Sequence, residues 1–284
     1  MSICTVCKRE QAIYYHRFSG DYLCAKCLKR RLVKYIKKAF KRYGLAGPKI
    51  GEIALVIPQH HAQIAPALIE LVDAAERGHA TTLHLLIPQS LSSNVLENLK
   101  LSLNIGVIRH YTLKQNYYFD AQVRMLRYVA AKESKTNTII MPMMLEEGLL
   151  CLLSALARAK PAYIDCVKPK IEVANKVILN PFLDVSIEDV YAYAQAKKGL
   201  SRIEVERQAY FLEDLLPAIF EDRGPELRYS YRKVAFQLLD ALKVRLESLV
   251  SKCRRCGGLE VGYVERGVCR VCQRLEVDSN TKIF

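Results

Sequence analysis

Eight of the ten cysteines fall into four Cys-x2-Cys pairs, two near the start of the chain and two near its end. Two thiolates separated by two residues occupy adjacent corners of a tetrahedron, and a second such pair completes it. Cys4, Cys7, Cys24 and Cys27 form one set with 16 residues between the pairs; Cys253, Cys256, Cys269 and Cys272 form the other with 12. Each set predicts a small metal-bound module, because segments this short bury too little apolar surface to fold unaided. Disulfide pairing is the competing use of these cysteines, but nothing else in the chain points to secretion. An iron–sulfur cluster at one set is the other alternative. The expectation is two structural zinc ions, with no iron–sulfur cluster. His16 lies inside the first module, where four cysteines already suffice, and reads as a surface or packing residue.

Net charge is +14, and two zinc ions on eight thiolates lower it by four, to about +10. Such an excess favours a polyanionic partner, nucleic acid foremost. Much of it lies in "LKRRLVKYIKKAFKRY", where Leu28, Leu32, Ile36 and Phe40 recur every four residues and predict a helix with one buried stripe. The rest of that helix carries Lys29, Arg30, Arg31, Lys34, Lys37, Lys38, Lys41 and Arg42 and no acidic residue. These eight, with Arg254 and Arg255 of the second module, are candidate RNA contacts. Arg266 and Arg270 join them, and Tyr14, Tyr15 and Tyr22 are candidate stacking platforms. "GLAGPK" (44–49) reads as a linker.

From Glu52 onward short apolar strands alternate with helical stretches. Strands are expected at 53–57, 81–87, 106–111, 137–141 and 162–165. Helices are expected from about Gln63, through Val95 and Leu99, through Val123 to Val129, and from Leu145 to Ala159. This alternation predicts an α/β domain with a parallel sheet covered on both faces. A helix capped by Ser186 follows an extended segment, and two more are expected near 203–221 and 226–250. The organisation is then a zinc finger with basic helix (1–46), an α/β core (50–225), a connecting helix (226–252) and a zinc ribbon (253–284). Of the two unpaired cysteines, Cys151 lies among leucines and reads as a buried inert thiol, and Cys166 follows a predicted strand. The densest apolar run, 148–157, is about half the ~20 residues needed to span a bilayer. With no signal-peptide pattern at "MSICTVCKRE", the expected location is the cytoplasm, away from membranes.

The order of parts resembles the tRNA 2-thiouridine synthetases of the PP-loop (N-type ATP pyrophosphatase) superfamily, of the cytosolic thiolation type. The resemblance covers nearly the whole chain. "LNPFLDVSIEDVYAYAQAKKGL" and "AYFLEDLLPAIFEDRGPELRYSYRKVAFQLLDAL" match stretches of the family's core and of the helix pair before its ribbon. It implies a Rossmann-like, adenine-nucleotide-hydrolase-like core that adenylates a tRNA base and delivers sulfur to it. The family's first turn, Ser-Gly-Gly-x-Asp-Ser, cradles pyrophosphate with backbone N–H groups at a helix N-terminus. Here that turn is Pro58, Gln59, His60, His61, Ala62 and Gln63, without glycine, serine or aspartate, though the two histidines are able to contact phosphate. The family's Gly-His-Asn-x-Asp-Asp is "PMMLEE", keeping only the acidic pair Glu146 and Glu147 in kind. Its sulfur-handling cysteines are absent from "NYYFDAQVRMLR" (116–127) and "RQAY" (207–210).

These departures imply no bound ATP, no catalytic residues and a degenerate paralogue: a tRNA-binding and assembly subunit working beside an active thiolase paralogue, or as a homodimer. Two other readings stay open: an active ATP-dependent sulfurtransferase with an atypical loop, and a zinc-ribbon scaffold in another nucleic-acid assembly.

Overall fold

The computed structural model describes residues 2–43, 51–76, 80–91, 103–113, 119–198, parts of 230–241, 250–261 and 265–277. The linker at 44–49, the helix expected through Val95 and Leu99, the helix near 203–221 and "RQAY" lie outside the described residues.

The chain opens with a hairpin, β1 (Tyr14–His16) against β2 (Asp21–Leu23), turned at Gly20 with φ +68°. Helix α1 (Ala25–Tyr43) follows at once. The period-four stripe is realised: Leu28, Leu32 and Ile36 are fully buried and Phe40 nearly so. Each such burial contributes about 1.5–3 kcal/mol, which offsets the unfavourable crowding of like charges on the other face.

The core is a six-stranded sheet in the order β5-β4-β3-β6-β8-β7. Its strands are β3 (Gly51–Val56), β4 (Ala80–Pro88), β5 (Ile105–Tyr111), β6 (Thr138–Ile140), β7 (Lys170–Val173) and β8 (Lys176–Leu179). All neighbours pair in parallel except β7, which runs antiparallel to β8 at one edge. The β7–β8 connection holds Ala174 and Asn175, both at positive φ, as a two-residue hairpin turn of the primed type requires.

Period-two alternation assigns the faces. Ile53, Leu55 and Ile57 point to one core, shared with α1, α2 (Ala65–Glu76) and α5 (Ile187–Lys198). Ala54 and Val56 point to the other, shared with α3 (Phe119–Glu133), α4 (Leu145–Ala157) and the C-terminal module. The N-terminal module thus packs on one face of the sheet and the C-terminal module on the opposite face. That module consists of β9 (Val250–Lys252) paired with β10 (Leu259–Val261), followed by α6 (Arg270–Val277).

Two expectations need correction. Residues 162–165 are not a strand but part of a 3-10 helix, Pro161–Val167. Pro161 suits a helical first turn, and the Asp165 side chain and carbonyl are committed to arginines of α3, leaving no sheet edge for the segment. Cys151 and Cys166 are not separate thiols: they form a disulfide between α4 and this 3-10 helix, with Cα atoms 6.4 Å apart. His16 is a buried packing residue, 3.5 Å from Asp189 of α5 and hydrogen-bonded to Ser19. Ser186 does cap α5, accepting the Glu188 N–H, while its hydroxyl donates to Glu146.

Candidate functional site

The two cysteine modules follow one local plan. In each, the second pair straddles a helix start: Cys24 and Cys27 at α1, Cys269 and Cys272 at α6, with Leu28 N–H donating to the Cys24 carbonyl and Gln273 N–H to that of Cys269. A helix N-terminus carries partial positive charge, which favours thiolate over thiol. After the first pair the chain turns through a left-handed residue, Lys8 at φ 53° or Gly257 at φ 67°. The turn aims backbone N–H groups at sulfur: Arg255 and Cys269 donate to Cys253, and Gly258 donates to Cys256.

Within each set the four sulfurs lie within 4.8 Å of one another. The Cys7–Cys24 and Cys256–Cys269 contacts are both 3.7 Å. Thiolates bound to one tetrahedral ion at about 2.3 Å sit about 3.8 Å apart, so the sets fit a single metal. Their titration is split accordingly. Burial opposes ionisation of Cys4, yet N–H groups of Cys7, Cys24 and Val6 bring it down to about 6. Burial pushes Cys24 and Cys27 up. In the second set the sulfur–sulfur hydrogen bonds hold Cys253 low and Cys256 high. Four thiolates at this spacing require a cation to coexist.

The turn after β3 is a 3-10 helix, Gln59–Ile64, closed by His61 N–H donating to the Pro58 carbonyl. α2 follows with Pro66 in its first turn. Both histidines face one carboxylate. His60 Nε2 is 2.5 Å and His61 Nε2 2.9 Å from one oxygen, Glu147 Oε1. Glu147 stands in the first turn of α4, where its other oxygen accepts the Met144 N–H at 2.6 Å. Burial opposes charge on Glu147, but the imidazoles of His61 and His60 hold its carboxyl below the usual range. Desolvation lowers the pKa of His61 despite that carboxylate. The shifts favour the neutral form of His61 and the charged form of Glu147. Its partner in sequence, Glu146, accepts the Ile187 N–H at 2.8 Å and so ties α4 to the start of α5.

Of the basic residues on α1, Arg30, Lys34, Lys37, Lys38, Lys41 and Arg42 are exposed. Lys29 pairs with Glu70 at 2.5 Å, tying α1 to α2, and Arg31 with Asp21 at 2.5 Å, tying α1 to the hairpin. Arg254, Arg266 and Arg270 are exposed, and Arg255 is half-buried with its guanidinium 5.9 Å from the Tyr128 ring. Tyr15 and Tyr22 lie side by side at the surface, ring centroids 4.8 Å apart. Tyr14 is instead turned inward, and burial together with Asp189 raises its pKa.

A cluster without a sequence signal docks the ribbon. Arg124 and Arg127 of α3, fully buried, lie 3.4 Å from Asp165 Oδ1. Asp165 Oδ2 accepts the Leu259 N–H at 2.6 Å, and Glu260 accepts from the Tyr163 hydroxyl at 3.1 Å.

The fold is an α/β sheet of Rossmann-like type with a buried four-cysteine group at each end of the chain. It is similar to the solved structure of U34-tRNA thiolase NcsA from Methanococcus maripaludis with its 4Fe–4S cluster, at TM-score 0.64 and 14% identity, covering 100% of this chain and 98% of that one. At this identity the likeness establishes a shared fold. No protein-family model and no curated protein matches the sequence. The expectation that iron–sulfur chemistry has no place here is corrected: the neighbouring structure carries a 4Fe–4S cluster, and four cysteine thiolates are a ligand set for such a cluster as well as for zinc. Sequence spacing reports the sulfurs, not the metal. Among the described residues no helix is long and apolar enough to cross a membrane.

Proposed function

We propose that this chain binds tRNA and serves a tRNA thiolation system as a non-catalytic subunit, beside an active paralogue or a second copy of itself. The observation that carries the reading is the turn after β3. In the family it resembles, that turn leaves backbone N–H groups open to pyrophosphate. Here Gln59–Ile64 winds into a 3-10 helix whose two histidines point at a carboxylate. Two imidazoles and a carboxyl group thus stand where the family's turn has glycine backbone.

Support for an RNA partner comes from the exposed cations of α1 and the ribbon, together with the surface pair Tyr15 and Tyr22. Phosphate contacts of this kind give salt-dependent affinity, and aromatic faces stack on unpaired bases. In this role the cysteine modules hold their segments folded, and the metal they take supplies cohesion rather than a reaction.

Calorimetric titration with Mg-ATP, run beside a tRNA filter-binding series in rising salt, tests the reading. No heat with ATP, together with tRNA affinity that falls steeply with salt, is the expected pair of results. ATP binding tighter than ~100 µM, about −5.5 kcal/mol, overturns the non-catalytic assignment. The neighbour's cluster favours one other reading, an active sulfurtransferase with a cluster in one of the four-cysteine groups. Stoichiometric iron and acid-labile sulfide in anaerobically prepared protein, with thiolation of tRNA, would establish it.

A further inference from the structure

His60, His61 and Glu147 offer three ligand atoms that converge from two separate elements. His60 and His61 follow β3, whereas Glu147 opens the helix after β6. In the sheet β3 lies between β4 and β6, so the chain leaves β3 toward β4 on one side and returns through β6 on the other. That is the switch point of the strand order, where open α/β sheets form their ligand crevice.

The three side chains are far from an ordinary surface cluster. Glu147 is 1% exposed and His61 not at all, while His60 retains 14%. Neither ring nitrogen of His61 has a hydrogen-bond partner among the described residues, since its 2.9 Å approach to Glu147 is poorly aligned for one. A fully buried imidazole with no aligned hydrogen bond costs about 1–3 kcal/mol and calls for an explanation. The carboxylate is oriented from behind by the Met144 N–H, and His60 is steadied edge-on by Phe119 at 5.8 Å between ring centroids.

We propose that His60 Nε2, His61 Nε2 and Glu147 Oε1 bind a divalent first-row transition metal ion, zinc being the representative case. Two imidazoles and one carboxylate form a ligand set for such ions, and it leaves a coordination position open. The ion gives His61 Nε2 a partner, and the Met144 contact becomes the outer support that aims the carboxylate. Ligands at about 2.0–2.1 Å from a tetrahedral ion sit about 3.3 Å apart, so the present 2.5 and 2.9 Å contacts must open by several tenths of an ångström. His60, on the exposed side, is the ring with room to move. The competing use of the same atoms is a closed hydrogen-bond cluster that holds no metal. The site shares His60, His61 and Glu147 with the turn that carries the proposed function, but it needs no tRNA.

Cobalt(II) titration of the full-length protein, with its cysteine modules filled as isolated, separates the two. The expected result is one equivalent of cobalt with ligand-field bands but no thiolate charge-transfer absorption. Glu147→Gln, which keeps an acceptor for Met144, and His60→Ala, at the exposed rim, should each weaken that binding by more than the ~10–100-fold typical of losing an outer-shell partner. Wild-type protein that takes up no such equivalent overturns the proposal, and so does unchanged affinity in a folded His60→Ala variant. Circular dichroism of both variants identifies any that fail to fold, and His60→Ala carries the test alone if Glu147→Gln does.

Discussion

The guanidinium carbon of Arg124 lies 3.5 Å from the centroid of the Tyr163 ring, which places the cation flat on the aromatic face. From there Arg124 Nη2 donates to the Leu259 carbonyl at 2.5 Å and Nη1 is 3.6 Å from Glu260. One fully buried side chain of the core therefore grips β10 of the ribbon. Its charge is balanced by Asp165 and Glu260, and its planar face is covered by a ring.

Replacing that arginine should loosen the ribbon from the core. Arg124→Met leaves Asp165 with Arg127 alone and strands the Leu259 carbonyl, so a loss of about 3 kcal/mol is expected. Arg124→Lys should recover little of it, because an ammonium neither stacks nor forks. Urea unfolding of the three proteins, with limited proteolysis at the ribbon, measures the difference.

Gly257 tests the same interface from the backbone side. A Cβ there would stand 2.5 Å from Val173 Cγ2 and 2.7 Å from Ile171 Cγ2, at φ +67°. Gly257→Ala therefore combines a left-handed backbone penalty with overpacking, and about 2–4 kcal/mol should be lost. Thermal melts read it, and retained metal content would show that the cysteine site survives.

Glu76 gives a pH signature. It is 5% exposed, its carboxylate has no hydrogen-bond partner among the described residues, and burial raises its pKa to about 7, with the charge of Lys37 opposing the shift only in part. The native state takes up this proton more readily than the unfolded chain. Below about pH 4.5 the group is protonated in both states and neutral to stability. As pH rises from there to about 7 the native state is progressively penalised, by up to about 3 kcal/mol, and the penalty stays constant at higher pH. Glu76→Gln should accordingly raise the melting temperature at pH 8 and leave it nearly unchanged at pH 4.5.

The Cys151–Cys166 disulfide closes a loop with a sequence separation of 15. Cross-linking a loop of that length stabilises by about 3 kcal/mol in the chain-entropy account. The Cys151→Ser, Cys166→Ser double variant should melt lower by that amount. Mass spectrometry of alkylated protein under denaturing, non-reducing conditions should find these two cysteines unlabelled.

Removing the metal from the cysteine modules should undo them without unfolding the sheet. Cys27→Ser and Cys272→Ser each take one thiolate from a closed set. Each should release its metal and expose its own terminal segment to protease, while the far-UV dichroism of the sheet persists. Elemental analysis for zinc and iron on the wild type identifies the resident metal.

The parts of this molecule that sequence alone determined are those governed by short range. Cys-x2-Cys spacing fixes which sulfurs converge, because two residues are just enough for both thiols to reach one point. The recurrence of Leu28, Leu32, Ile36 and Phe40 fixes the buried stripe of α1, and the alternation of apolar strands and helices fixes a sheet with two covered faces. The pattern also marks Pro58–Gln63 as a turn without glycine. What only the tertiary structure decided depends on strand order and on contacts between distant segments. Glu147 reaches His60 and His61 because β6 lies beside β3, and no local pattern announces that pairing. Arg124 and Arg127 look like an exposed basic run until α3 is laid against Asp165 and Leu259. Residues 162–165 have strand-like composition, yet Asp165 is claimed by those arginines, and the disulfide partners meet only once α4 and the 3-10 helix pack together. The choice between zinc and an iron–sulfur cluster lies beyond spacing for the same reason: identical thiolates serve both, and the difference rests in how the surrounding protein encloses them.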